Sequence, residues 1–235
     1  NDSLGWIAPL SPWGIAGTRT TRLEISSAGL IGIQDRIDDL IQYPHGCLEQ
    51  TLSGLVPQIF LRTLVPWTPE PRLKESEHNV KAGIARLRRF QTPSGGLSLW
   101  PGEGEPYPWG TLWAARGMLA AREAGFDVPP SLLDPVLSWI ADKSRGFRPG
   151  SEARRGDTLL QVTRLDILAL ARKPDLAAMN RLREAPLGDL ERWTLAAAYA
   201  SAGRADVARH LGGRAGTRVS AERMMIHNLA SPVRD

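Results

Sequence analysis

The chain has 235 residues, 42% of them hydrophobic and 23% charged, which is enough apolar material for one large domain with its own core. It contains no run of about 18 uncharged apolar residues, which excludes a membrane-spanning helix. Its 29 basic and 25 acidic residues leave a formal charge of +4, scattered along helical stretches with no recognisable nucleic-acid module beside it. Dense groups such as Arg86, Arg88 and Arg89, or Arg154 and Arg155, read as solvated faces.

Residues 1–28 read as irregular and partly extended. Pro9, Pro12, Gly14 and Gly17 break regular structure, and the alternating TRLEIS suits a short strand. The opening NDSLGWIAPLSPWG lacks the charged-then-apolar pattern of a signal peptide. The expectation is a connection from a preceding β-domain, with targeting information elsewhere. From Leu30, apolar residues recur at helical spacing (Leu30, Ile33, Ile37, Leu40, Ile41), and the helix they define must end by Pro44 and Gly46. A second helix is expected from near Cys47, with Leu48, Leu52, Leu55, Ile59 and Phe60 on its stripe and a kink at Pro57. A third, over 75–91, would bury Val80, Ile84, Leu87 and Phe90.

TPSGGLSLWPGEGEPYPWG then interrupts the pattern as a long Gly- and Pro-rich loop with aromatics, a kind of loop that is commonly functional or mobile. Helices resume over 112–123, closed by Gly125, and over 131–143, where Ser131 and Asp134 have capping-box-like spacing. Asp157 is positioned to cap a helix over 157–172, and shorter helices follow over 175–184, 189–202, 205–211 and 219–229. Such a succession of helices joined by short turns implies an all-α fold of antiparallel helical hairpins, arranged as an open solenoid or a closed α/α ring. AAAYASAGRADVARHL has a tetratricopeptide flavour, but no partner at a spacing of about 34 residues repeats it.

The single cysteine, Cys47, lies in YPHGCLEQ, residues 43–50. Alone it cannot form an internal disulfide, so it is buried filler, a reactive thiol or half of an intermolecular bond. Residues three apart at a helix start share a face, with Cβ atoms about 5–6 Å apart, so the Cys47 sulfur can meet the Gln50 carboxamide. A helix N-terminus favours the thiolate, which is the nucleophile. Displacement of ammonia from Gln50 by Cys47 would give an internal thioester. Sulfur donates its lone pair to a carbonyl less well than nitrogen does, so the product is a stored acylating agent. Gly46 permits a tight turn before the nucleophile, and Pro44 stops the preceding helix. Such a bond needs a dry pocket, for which Trp100, Tyr107, Trp109 and Trp113 are the candidates.

YPHGCLEQ resembles the thioester motif Gly-Cys-x-Glu-Gln of the α2-macroglobulin and complement superfamily. Tyr43, Pro44 and the Leu48 between Cys47 and Glu49 resemble its bacterial branch. IDDLIQYPHGCLEQTLSGLVPQ resembles the family's helix–thioester–helix segment, and GGLSLWPG with YPWGTLW resembles its later Gly-rich, Trp-containing stretch. There Trp109, Thr111 and Trp113 stand where the family shows Trp, Thr and an aromatic. The resemblance covers most of the chain from about residue 26. It implies an α/α toroid over residues 29–235, incomplete at its C-terminal end, preceded by the linker of residues 1–28. Cys47 would supply the sulfur and Gln50 the acyl carbon, with Gly46 and Glu49 completing the motif and no metal or organic cofactor.

The resemblance also implies that this is one domain of a large bacterial protease trap in the periplasm or cell envelope, protecting the cell against host or competitor proteases. Bait cleavage elsewhere would expose the thioester, and lysine amines of the attacker would be captured in a single turnover, so the protein is not an enzyme. Its partners would be proteases and other domains of the same protein, with no nucleic acid and no membrane contact by this domain.

Other readings follow from the residues without the family. Lone cysteines are commonly small buried side chains. A cysteine protease would need a histidine base, and His45, two residues away, has no convincing orienting partner; His78, His210 and His227 read as surface or capping residues. A glycan-processing α/α ring would use Glu103, Glu105 and Asp157 near Trp100 and Trp109, although carboxylates in a Gly/Pro loop are ordinarily solvated. A non-reactive helical interaction module is the third reading, and the presence of both Cys47 and Gln50 argues against it. Trp109 and Trp113, at helical spacing, also fit plain packing.

Overall fold

Leu48, Leu52, Leu55 and Ile59 fall on one face of a helix, and burying each such side chain contributes about 1.5–3 kcal/mol. In the computed structural model, which describes residues 41–65, 68–148 and 155–216, they line the buried face of α1 (Leu48–Ile59). Pro57 has no N–H to continue the helical ladder. The helix ends two residues later, where the Phe60 N–H bonds back to the Pro57 carbonyl at 3.2 Å, and the single turn α2 (Leu61–Leu64) follows. The expected kink is therefore a break.

α3 (Glu70–Leu87) continues into a 3-10 turn, Arg88–Phe90. It begins five residues before its expected start because Pro71 presets the first turn and the residues there are mostly exposed, so no apolar stripe marks them. α4 (Pro108–Glu123) and α5 (Pro130–Gly146) likewise open on prolines. Pro130 occupies the first helical position of α5, so Ser131 and Asp134 lie inside the helix, and the Ser131 hydroxyl instead accepts from Arg88 Nη2 at 3.0 Å. In α6 (Arg155–Leu170), Asp157 sits in the first turn and is not the cap. Asp175 caps α7 (Leu176–Arg183) by accepting from the Ala178 N–H at 2.9 Å, and α8 (Asp189–Ser201) and α9 (Ala205–Gly213) complete the order. The helices expected over 30–40 and 219–229, and the extended segment 1–28, lie outside the described residues.

The helices form two layers. α1, α4, α6 and α8 pack side by side, each against the next, while α3 rests on α1, α5 on α4 and α6, α7 on α6 and α8, and α9 on α8. α4 is enclosed by α1, α5 and α6, and its Gly110, Ala114, Ala115, Gly117 and Ala121 are accordingly small and buried. Two cores result. One gathers α1, α3, α4 and α5 with Ile167 and Leu168 of α6, and the other gathers α7, α8 and α9 with Val162, Leu165 and Ala169 of the same helix. α4 and α6 are also joined by Arg116 Nη1 donating to the buried Asp166 carboxylate at 2.5 Å.

Candidate functional site

Cys47 is the N-cap of α1, with extended backbone angles (φ −74°, ψ 178°), and is 9% exposed. Its backbone N–H donates to Gln50 Oε1 at 2.9 Å, and its sulfur faces the Gln50 backbone N–H, so the two residues close a capping box. The Gln50 carboxamide is thus folded back over the residue that carries the thiol. Gly46 makes this fold-back fit. Its φ is +74°, and a Cβ there would lie 2.0 Å from Gln50 Oε1 and 2.8 Å from Gln50 Cδ.

The surroundings hold this turn from two sides. Leu48, fully buried, donates its N–H to the Leu99 carbonyl at 2.9 Å, which docks the aromatic loop on the start of α1. That loop is tied down along its length: Leu97 N–H and O both bond Thr111 Oγ1, the Tyr107 N–H donates to the Leu97 carbonyl, and Ser98 Oγ donates to Phe90 O and Trp100 O. Tyr107 Oη donates to Glu49 Oε1 at 2.7 Å, and its hydroxyl is held far above the ordinary tyrosine range by burial first, then by the Glu49 bond and charge and by Cys47. Gly110 lets α4 close on this corner, since a Cβ there would sit 2.6 Å from the Tyr107 ring and 2.7 Å from Leu48 Cδ2.

Of the four aromatics proposed as a pocket, Tyr107 is the one with a hydrogen bond to the motif among the described residues. Trp100 is 50% exposed, with its backbone N–H donating to Glu103 Oε2; Trp113 packs against the core, and Trp109 is half-buried. Pro44 is buried, whereas Tyr43 is 59% exposed with its ring centroid 6.4 Å from that of His78. His45, Glu103, Glu105 and Asp157 are exposed.

Arg86, read from sequence as part of a solvated face, turns inward instead: its Nη2 donates to the Gly46 carbonyl at 2.7 Å and its Nε to Thr51 Oγ1 at 3.2 Å, while Phe90 supports the guanidinium at 5.6 Å. Thr51 Oγ1 in turn donates to the His45 carbonyl. Two helical turns further on, Gln58 Nε2 donates to the Gln42 carbonyl at 2.9 Å and its Oε1 accepts from Asn79 Nδ2. These residues were missed from sequence, yet a signal existed. Thr51 and Gln58 fall on the apolar stripe of α1, and Ser76 and Asn79 on that of α3, where a polar side chain must find a partner.

Fold and site together define a layered helical-hairpin domain whose motif helix opens on a Cys-x-x-Gln pair closed over a crowded glycine. Residues 21–149 match the family described as the A-macroglobulin TED domain, and the chain belongs to that family. α2-Macroglobulin of Escherichia coli K12 is 29% identical over 174 residues, which cover 69% of this chain and 10% of that protein. The crystal structure of Salmonella α2-macroglobulin reacted with methylamine superposes with a TM-score of 0.63 at 26% identity, covering 76% of this chain and 12% of that one. Trypsin-activated α2-macroglobulin from E. coli shares the fold at a TM-score of 0.60 and 24% identity, covering 73% of this chain and 13% of that one. The fold class is the α/α toroid of antiparallel helical hairpins expected from the sequence.

Proposed function

We propose that the chain is the thioester-bearing domain of a protease-trapping, α2-macroglobulin-like protein of the periplasm or cell envelope. Cys47 attacks Gln50 Cδ; the C–N bond breaks, ammonia leaves with the thiol proton, and a thioester joins Cys47 Sγ to Gln50 Cδ. A lysine amine of a trapped protease then takes the acyl group as an amide, and the Cys47 thiol is released. The protein is consumed in one turnover. Proteases and the other domains of the same protein are its partners.

The observation that carries this reading is the Gln50 carboxamide folded onto Cys47 across Gly46, a position where a side chain would push the carboxamide away. The Salmonella relative's reaction with methylamine supports amine capture, and the E. coli relative's activation by trypsin supports a proteolytic trigger. The test is the intact mass of freshly purified protein before and after methylamine, with thiol counting at Cys47. A mass lighter by one ammonia, followed by methylamine addition and release of one thiol, is the expected result. An unmodified mass with a free thiol throughout, in the full-length protein, would refute it.

A further inference from the structure

The peptide unit between Gly46 and Cys47 is bonded at both ends. Its carbonyl accepts from Arg86 Nη2 at 2.7 Å, and its N–H donates to Gln50 Oε1 at 2.9 Å. A cation on the carbonyl side of an amide draws electron density through the peptide and makes the N–H a better donor, since linked hydrogen bonds polarise one another. The accepting atom, Gln50 Oε1, is where negative charge collects when a nucleophile adds to Gln50 Cδ.

We infer that the Cys47 backbone N–H is the oxyanion donor for chemistry at Gln50, and that Arg86 is a positioning residue that polarises this donor through the Gly46 carbonyl. The inference rests on the thioester reading above. In thioester formation, sulfur adds to Cδ and the C=O pair moves to Oε1, where the N–H stabilises it. The pair then returns as ammonia departs with the thiol proton. In capture the same oxygen carries the charge while an amine adds and sulfur leaves. A donor already aimed at that oxygen needs no reorganisation at the moment of reaction.

Three further contacts keep the peptide in place. Arg86 Nε holds Thr51, Thr51 holds the His45 carbonyl, and the buried Gln58 holds the Gln42 carbonyl, so the chain entering Cys47 is fixed at the carbonyls of Gln42, His45 and Gly46. Lysine at position 86 would keep the charge, glutamine would keep a donor without charge, and methionine would keep neither.

Cys47 is the sole cysteine, so 15N-cysteine labelling of the chain gives one amide resonance, that of the proposed donor. In Arg86→Met and Arg86→Gln this resonance should move upfield and its solvent exchange should quicken by about tenfold or more. Methylamine uptake and ammonia loss, followed by intact mass, should slow by a similar factor, with Arg86→Lys restoring most of both. An unchanged Cys47 amide in Arg86→Met would overturn the proposal, and a loss that lysine does not restore would reduce Arg86 to packing and overturn its electrostatic role. If the full-length protein keeps an unmodified mass and a free thiol throughout, the thioester reading fails by itself, while the Cys47 resonance still decides whether Arg86 polarises the donor.

Discussion

Replacing Gly46 with alanine tests the crowding at the motif directly. The residue sits at φ +74°, a left-handed conformation that costs a non-glycine residue about 1–2 kcal/mol. The new methyl would lie 2.0 Å from Gln50 Oε1, so the carboxamide must swing away and the Cys47 N–H loses its acceptor, a further loss of about 1 kcal/mol. Gly46→Ala should therefore destabilise the domain by about 2–3 kcal/mol and lower its Tm by about 5–10 °C. Urea unfolding followed by circular dichroism reads the first quantity through the midpoint, with the slope unchanged. Intact mass should show no loss of ammonia in the variant. Stability within about 0.5 kcal/mol of the parent would refute the steric argument, because that is the usual range for a surface substitution away from any such contact.

Three other outcomes follow. Tyr107 stays protonated in the fold at pH values where an unfolded chain's tyrosine ionises, so stability should fall as pH rises above about 10, and Tyr107→Phe should lessen that loss in urea midpoints taken at pH 9 and 11. Arg116→Ala leaves the buried Asp166 carboxylate without its cation and should cost less than the roughly 3–5 kcal/mol of a fully enclosed pair, because Arg116 itself is largely exposed. Burial already holds the Asp166 carboxyl above the ordinary aspartate range, so that deficit should shrink as pH falls toward about 4, and Asp166→Asn should recover it at neutral pH; thermal unfolding of the single and double variants checks both. Gly110→Ala gains helix propensity of about 1 kcal/mol but drives a methyl into Leu48 and the Tyr107 ring, for a net loss of about 1–2 kcal/mol by urea unfolding.

The local part of the site was legible in the sequence because it is local: Gly46, Cys47 and Gln50 interact across one helical turn, and both the spacing and the need for glycine follow from helix geometry. The helices with a clean apolar stripe were legible for the same reason. Helix starts set by proline were placed late, as at Glu70 and Pro108: the first turn at Glu70 is mostly exposed, and that at Pro108 buries only Gly110 and Thr111, so neither carries a hydrophobic signal. Arg86 was misread because side-chain charge says nothing of direction. It lies forty positions beyond the Gly46 carbonyl it bonds, and only the packing of α3 on α1 brings the two together. The Tyr107–Glu49 bond, across 58 positions, was hidden by the same distance.

α6 gives side chains to both cores, and this has a consequence for the order in which the chain is made. Among the described elements the motif and α1 are made first, but the cluster that holds Leu48 also takes in Ile167 and Leu168, which arrive only after α2 to α5. Domains acquire their packing as the chain is released N-terminus first. The core that Leu48 shares is thus completed only by α6, and a nascent chain that stalls before α6 carries Cys47 next to an unfinished core.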